Sequence, residues 1–420
     1  MGVQVPGRGT ELVGGGRSIG LGSAWLARVW SGNLNRILDR IDSGLSRGSI
    51  QLTLPDGTTR LLGGHAPGFK ATVHLRSYRA LLRLATSGSV GWYQAWAAGE
   101  WDSPDPVPLF ALFMDNAVAL GKAGRARGPW RYAARALHWL RRNTRAGSRR
   151  NISAHYDLGN DFYAPWLGET MAYSSARFAS DIDGIEAAQR AKMAMIADRL
   201  RLDEGERVLE IGCGWGTLAT TLAERCAARV DAISLSDEQL AYARTRWNPS
   251  QGAVDFRKQD YRDVTRIYDA IASVEMVEAV GQRYWPDFFD CIARCLRPGG
   301  RAAIQFISIR DELFESYARS ADFIQTYIFP GGMLVRESEF ERLAQERGLT
   351  WQDRVGFGLD YARTLRLWRE RFERAVEGRL LPAGFDRPFV NLWRFYLMYC
   401  EGGFRGGGID VAQVTLVRRG

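Results

Sequence analysis

Residues 208–218 read VLEIGCGWGTL. The apolar run breaks at Gly212, and glycine recurs at Gly214 and Gly216 before GTLATTLAERC takes up helical spacing. Glycine at alternate positions marks backbone that takes positive φ or comes close to another group. A buried strand, a glycine-rich turn and a helix together form a common nucleotide site, because the helix N-terminus presents free N–H groups. Two versions of that site fail on spacing. A Walker loop needs Gly-Lys-Ser/Thr, and this stretch has no lysine. A dinucleotide fingerprint runs G-x-G-x-x-G, whereas this turn runs G-x-G-x-G.

Glu210 completes the pattern as E-x-G-x-G-x-G. It resembles the S-adenosylmethionine loop of Rossmann-like methyltransferases. A carboxylate suits a cationic sulfonium ligand and opposes a pyrophosphate. The alternatives are a dinucleotide loop and a glycine turn with no ligand.

Strands and helices alternate from about residue 200. ERVLEIG, RVDAISLS, AVDFRKQD, YDAIASVE and RAAIQFISI read as strands, with helices at GTLATTLAERC, DEQLAYARTRW and WPDFFDCIARCLRPGG. IDVAQVTLV near the end alternates like a further strand. This order predicts an α/β fold with a mostly parallel, doubly wound sheet, whose ligands bind at the carboxyl ends of the strands. At 420 residues the chain has room for two domains. Residues 1–23 are glycine-rich and read as a flexible tail. Residues 24–120 read as a smaller α+β domain: a helix, a hairpin at IQLTLPDGTTRLLGG and two helices around a glycine break. Its few ionisable groups suit binding or scaffolding. Residues 151–420 then form the methyltransferase domain.

The net charge of +9 is local. Between Asp115 and Asp157 there is no acidic residue, but there are ten Lys or Arg, among them Arg141, Arg142, Arg149 and Arg150. The rest of the chain is close to neutral. In GPWRYAARALHWLRRNTR, Trp130, Ala134, Leu137 and Leu140 recur near helical spacing. Residues 121–150 therefore read as a basic amphipathic linker that fits an anionic phospholipid surface. Nucleic acid is the rival partner, and a solvated helix packed on its own domain is the structural alternative. The N-P-P-Y and D-P-P-Y motifs of base methylation are absent. No apolar run approaches the roughly 20 residues of a membrane span, and the N-terminus lacks a signal pattern. The five cysteines form no C-x-x-C pair, so we expect a reducing, cytoplasmic setting and no metal site.

Several segments carry a family resemblance: HYDLGNDFYAPWLGETMAYSS (155–175), VLEIGCGWGTLA (208–219), ISLSDEQ (233–239), DYRDV (260–264), EMVEAVG (275–281), SADFIQTYIFPGG (320–332), YARTLRLWRERF (361–372) and YCEGGFRGGGID (399–410). In this order they resemble the cyclopropane-fatty-acyl-phospholipid synthases, and most of all the plant-type branch. The resemblance implies a class I methyltransferase that moves the methyl of S-adenosylmethionine to the cis double bond of an unsaturated phospholipid acyl chain. The alkene attacks the sulfonium methyl, a carbocation forms, and a base removes a proton so that a ring closes. If that proton is lost elsewhere, a methyl or methylene branch results instead. A small-molecule or nucleic-acid methyltransferase is a more distant alternative.

The same resemblance assigns residues. Gly212, Gly214 and Gly216 approach the cofactor by backbone above Glu210. Ser234 and Gln239 replace the acidic residue that usually holds the ribose. Asp260 and Tyr261 fall on the adenine side, and Tyr173 and Ser174 cover the methionine end. Glu278 and Tyr361 match the residues that hold a bicarbonate base. Gln305 and Ser175 stand where the bacterial enzymes carry histidine and cysteine, and Ala279 replaces a second histidine. Cys400 matches a cysteine near the active site, although a small buried residue is an equal reading. His155 reads as structural more readily than as a general base. Residues 151–175 read as a lid. DFIQTYIFPGGML (322–334) reads either as an acyl tunnel wall or as a packed helix. The resemblance also suggests a homodimer peripheral to the inner face of the membrane.

Overall fold

The computed structural model describes residues 8–14, 31–121, 158–247, 253–319 and 322–420. The basic run from Lys122 to Arg150 and His155 lie outside the described residues. The chain forms two compact units. One comprises Met1–Arg141, Glu312–Pro330 and Gly384–Ile409, and the other Arg142–Asp311, Gly331–Ala383 and Asp410–Gly420. No single cut near residue 150 separates them, because two later segments pack with the N-terminal elements.

The first unit holds a four-stranded sheet in the order β2-β1-β3-β4. Strands β1 (Ser49–Thr53) and β2 (Thr59–Gly63) form an antiparallel hairpin. Its turn is the Pro-Asp-Gly of the sequence: Gly57 takes φ 85°, and Asp56 Oδ1 accepts the Thr58 N–H at 2.9 Å. β3 (Lys70–Leu75) runs parallel to β1, and β4 is the two-residue Trp101–Asp102. The helical run Arg79–Ala97 is broken at Gly88, whose φ is 58°. Trp92 and Trp101 stack with ring centroids 4.3 Å apart, and the Trp101 indole donates to the Trp92 carbonyl.

The apolar segment near residue 325 settles as a π-helical turn, Ile324–Ile328. Phe323 and Tyr327 are buried against Tyr93, and Phe323 also meets Phe395 of the helix Arg387–Arg405. The packed reading of this segment is therefore the one observed.

The second unit holds an eight-stranded sheet. Its strands are β5 (Arg207–Ile211), β6 (Arg229–Ser234), β7 (Ala253–Lys258), β8 (Tyr268–Val274), β9 (Leu296–Ile309), β10 (Val335–Arg336), β11 (Leu349–Gly356) and β12 (Ile409–Arg418). They order as β11-β12-β9-β8-β5-β6-β7, with β10 beside β9. β7, β6, β5, β8 and β9 are mutually parallel, and β11 is antiparallel to β12. The fold is thus the expected Rossmann-like α/β class. The order reverses between β5 and β8, so their carboxyl ends form the switch point at which such sheets bind ligands. Val208, Leu222, Val230 and Ala272 pack with Ile196 and Leu200 of the helix Ile185–Leu200. Each of these Val, Leu and Ile side chains, fully buried, contributes about 1.5–3 kcal/mol.

Candidate active site

The glycine turn leaves β5 at the switch point. Gly212, Gly214 and Gly216 all take positive φ, at 83°, 52° and 86°. Their surroundings differ. A Cβ on Gly212 would lie 2.6 Å from Met276 Cγ, and one on Gly216 would lie 2.7 Å from the Phe256 ring. A Cβ on Gly214 would meet nothing within 4 Å. Packing therefore demands glycine at 212 and 216, while Gly214 borders open space.

That space is a cavity of about 180 Å³. Nine of the ten residues assigned to cofactor binding line it: Tyr173, Ser174, Glu210, Gly212, Gly214, Ser234, Gln239, Asp260 and Tyr261. Gly216 does not, because it packs beneath the turn against Phe256 and Ala243. Ser236, not Asp237, caps the helix Asp237–Arg246 by accepting the Gln239 N–H. This cap brings the Gln239 amide back to Ser234, whose hydroxyl donates to Gln239 Oε1 at 3.2 Å. Asp260 caps the short helix Tyr261–Asp263 and pairs with Arg262 at 2.5 Å.

Of the segment 151–175 read as a lid, residues 158–175 are described and pack as a wall. Phe162, Tyr163 and Trp166 of the helix Asn160–Leu167 are fully buried, and Tyr173 packs on Trp166 and Trp368. Gln189 donates to the Ser174 carbonyl at 2.8 Å, and Thr217 donates to the Thr170 carbonyl at 2.6 Å.

Three of the five assigned catalytic residues, Ser175, Gln305 and Tyr361, converge on a carboxylate that was not assigned, that of Glu275. Glu275, the residue after β8, lines the cavity. Its Oε1 accepts the Ser175 N–H at 2.9 Å and Gln305 Nε2 at 2.7 Å, and its Oε2 accepts the Tyr361 hydroxyl at 2.8 Å. Gln305 is oriented in turn by Gln413 Nε2, which donates to its Oε1 at 2.9 Å. The Ser175 hydroxyl turns away to the Ala176 carbonyl, so only its backbone meets the site. Glu275 takes φ 47°. A non-glycine residue there costs about 1–3 kcal/mol, the kind of strain that clusters at functional sites. Burial pushes its carboxyl above the usual range, while these hydrogen bonds and Lys192 restrain the rise.

Lys192 is the second residue that the sequence reading missed. It is fully buried on the helix Ile185–Leu200 and donates to the Ser174 hydroxyl at 2.6 Å. Burial lowers its pKa, while Glu275 and Glu210 hold it up. Burial raises Glu210, and Lys192 opposes that rise. Its Oε2 has no hydrogen-bond partner, so a buried acceptor faces the cavity.

Glu278 and Cys400 stand apart from this cavity. Glu278 lies one short helical turn beyond Glu275 and accepts the Ile307 N–H through Oε1, while its Oε2 is buried without a partner. Cys400 belongs to the helix Arg387–Arg405 of the first unit, where burial raises its thiol pKa. Cys291 and Cys295 donate to the carbonyls of Tyr261 and Val264, as packing cysteines do.

Glu278 gives a stability prediction. Burial, then the nearby Glu275, push its carboxyl up to about 8 from an ordinary 4.5. An acid with a raised folded pKa contributes stability that is complete below about pH 4.5 and is lost as pH rises through about 8. Glu278→Gln cannot ionise. Between pH 5 and 8 its melting temperature should fall less than that of the unsubstituted protein, as measured by calorimetry across that range. Parallel curves would contradict the assignment.

Residues 143–414 match the family model described as mycolic acid cyclopropane synthetase. The chain belongs to that family. It is an S-adenosylmethionine-dependent methyltransferase of the cyclopropane synthase type. Along the mycolic acid cyclopropane synthetase family, it is 36% identical over 416 residues to the tuberculostearic acid methyltransferase UfaA1 of Mycobacterium tuberculosis, covering 94% of this chain and 93% of that one. It is 31% identical to the cyclopropane-fatty-acyl-phospholipid synthase of Escherichia coli strain K12, covering 85% of this chain and 90% of the relative. Among solved structures it resembles the mycolic acid cyclopropane synthase CmaA1 complexed with SAH and CTAB. The TM-score is 0.61 and the identity 28%, over 64% of this chain and 98% of that one.

The cavity fits the methyl donor of this family. Gly214 leaves it open, Glu210 offers an unpartnered buried oxygen, and Ser234 and Gln239 place hydroxyl and amide groups at the end of β6. A bicarbonate ion fits less well, because the Ser175, Gln305 and Tyr361 donors are already engaged by Glu275.

Proposed function

We propose that this enzyme methylates the cis double bond of an unsaturated phospholipid acyl chain and leaves a methylene branch there. The full-length match to a tuberculostearic acid methyltransferase carries this reading, since it spans both compact units. Ring closure to a cyclopropane is the second reading, favoured by the match to the Escherichia coli synthase. Both products follow from the same first step.

The bound donor supplies an electrophilic methyl group. Gly212 and Gly214 hold its approach by backbone, and Glu210 supports the cationic end through charge. Ser234 and Gln239 accept and donate to a diol. Asp260 and Tyr261 bound the opposite end, and Tyr173 and Ser174 cover the methyl side. Tyr173 lines the cavity with the rings of Trp166 and Trp368 packed behind it, which would help to exclude water from a cation.

Among the described residues, no helix is long and apolar enough to cross a membrane. Access to lipid is then assigned to the basic run 122–150, which would dock on anionic headgroups at the cytoplasmic face. Replacing Arg141, Arg142, Arg149 and Arg150 with Gln should weaken binding to anionic vesicles and flatten its salt dependence, as read by sedimentation. Unchanged binding would place the docking surface elsewhere.

The reading is tested with labelled S-adenosylmethionine and vesicles of unsaturated phospholipid, followed by ozonolysis of the released acyl chains. Label released from the chain as formaldehyde, leaving a ketone at the modified carbon, supports the methylene branch. Label that stays in an ozone-resistant chain supports the ring. A lipid fraction without label would end both readings.

A further inference from the structure

The family resemblance implies a bicarbonate held by Glu278 and Tyr361, with Gln305 and Ser175 in place of a histidine and a cysteine, yet Ser175, Gln305 and Tyr361 all donate to Glu275. A carboxylate and a bicarbonate share the planar pair of oxygens and the single negative charge that such donors recognise. With Glu275 in place, a free anion would have to displace it from these three donors and then lie beside its carboxylate, and neighbouring like charges disfavour each other. The site is built around a tethered carboxylate.

We infer that the carboxylate of Glu275, in place of any exchangeable anion, is the base that removes the proton from the newly added methyl carbon. This rests on the reading of the substrate as an alkene in an acyl chain. Four observations support it. Glu275 lines the same cavity as Ser174 and Gly212, so it faces the donor's place. It directly follows β8, whose carboxyl end flanks the switch point beside β5. Its three hydrogen bonds fill two acceptor sites on Oε1 and one on Oε2. A carboxylate has about four such sites, so one lone pair on Oε2 stays open for a proton. Finally, the chain keeps a glutamate at φ 47°, where glycine would be unstrained.

The alkene π pair forms the new C–C bond to the methyl as the S–CH₃ bond breaks and sulfur keeps that pair. The neighbouring carbon is left cationic. After a hydride shift to that carbon, Oε2 of Glu275 takes a proton from the new methyl, and the C–H pair becomes the second bond of the methylene group. Without the shift, the same pair closes the ring. In either case Glu275 ends as a neutral carboxylic acid held by Tyr361.

The test compares the wild-type protein, Glu275→Gln and Glu275→Gly in carbonate-depleted buffer and with added bicarbonate. Wild-type turnover should be the same in both buffers. Glu275→Gln should keep its affinity for S-adenosylmethionine within a few-fold, while turnover falls about 10²–10⁴-fold. Glu275→Gly vacates the donors, so bicarbonate should restore part of its turnover. A second measurement does not need turnover: line broadening of ¹³C-bicarbonate should appear with Glu275→Gly and not with the wild type. Wild-type turnover that collapses without carbonate, wild-type binding of bicarbonate, or full turnover by Glu275→Gln would overturn the inference. If the wild type labels no lipid, the substrate reading fails, and the bicarbonate measurement still decides the role of the Glu275 site.

Discussion

Lys192→Met should lower the stability of the chain by about 3–5 kcal/mol, the cost of removing one partner from a buried ionic group. Lys192 is fully buried, and it is the cation that restrains the carboxylates of both Glu275 and Glu210. Without it Ser174 loses its 2.6 Å partner, and two acidic groups remain in the same interior. For 420 residues unfolding together, at about 2.1 cal/mol/K per residue, the melting temperature should drop by about 3–6 °C. Adding Glu210→Gln to Lys192→Met should recover part of the loss, because it removes one uncompensated carboxylate. Equal melting temperatures for Lys192→Met and the unsubstituted protein would show that the lysine carries no such charge pairing.

Gly214→Val should abolish binding of S-adenosylmethionine and leave the fold standing. Its Cβ would meet no atom within 4 Å, so core packing is untouched. The strain of φ 52° costs about 1–2 kcal/mol. The added methyl groups enter the cavity from the turn that should carry the cofactor. Gly216→Ala should do the reverse. Its Cβ would lie 2.7 Å from the Phe256 ring and 3.0 Å from Ala243, so stability falls while the cavity wall is unchanged. Calorimetric titration with the cofactor and thermal unfolding separate the two effects. A Gly214→Val protein that binds the cofactor normally would place the donor elsewhere.

Much of this site was legible because it is local in sequence. The strand, turn and helix of 207–226 come from one apolar run, three spaced glycines and a helical repeat, and these elements form with little help from distant residues. The Ser234–Gln239 contact was legible for the same reason, since a single capped turn links them. Glu275 was harder. EMVEAVG offers two carboxylates three residues apart, and only the fold shows which one meets Ser175, Gln305 and Tyr361, residues 100, 30 and 86 positions away. Lys192 gave a weaker signal: one lysine, beside Gln189, on the mostly apolar face of AAQRAKMAMIADRL. A lysine at such a position reads as a snorkelling side chain until the helix is seen packed on the sheet. The division of the chain was the least legible feature. Residues 312–330 and 384–409 pack with the N-terminal unit through rings such as Phe323 and Phe395 on Tyr93, and no local pattern announces so distant a partner.

The most direct measurement uses S-adenosylmethionine whose transferred methyl carries three deuteriums, together with vesicles of unsaturated phospholipid and mass analysis of the acyl chains. A base aimed at the new methyl must remove one deuterium, so the account predicts modified chains that retain two. Chains that retain all three would show that the proton is lost from another carbon and that Glu275 does not face the new methyl. Chains with no deuterium would contradict methyl transfer to the lipid altogether.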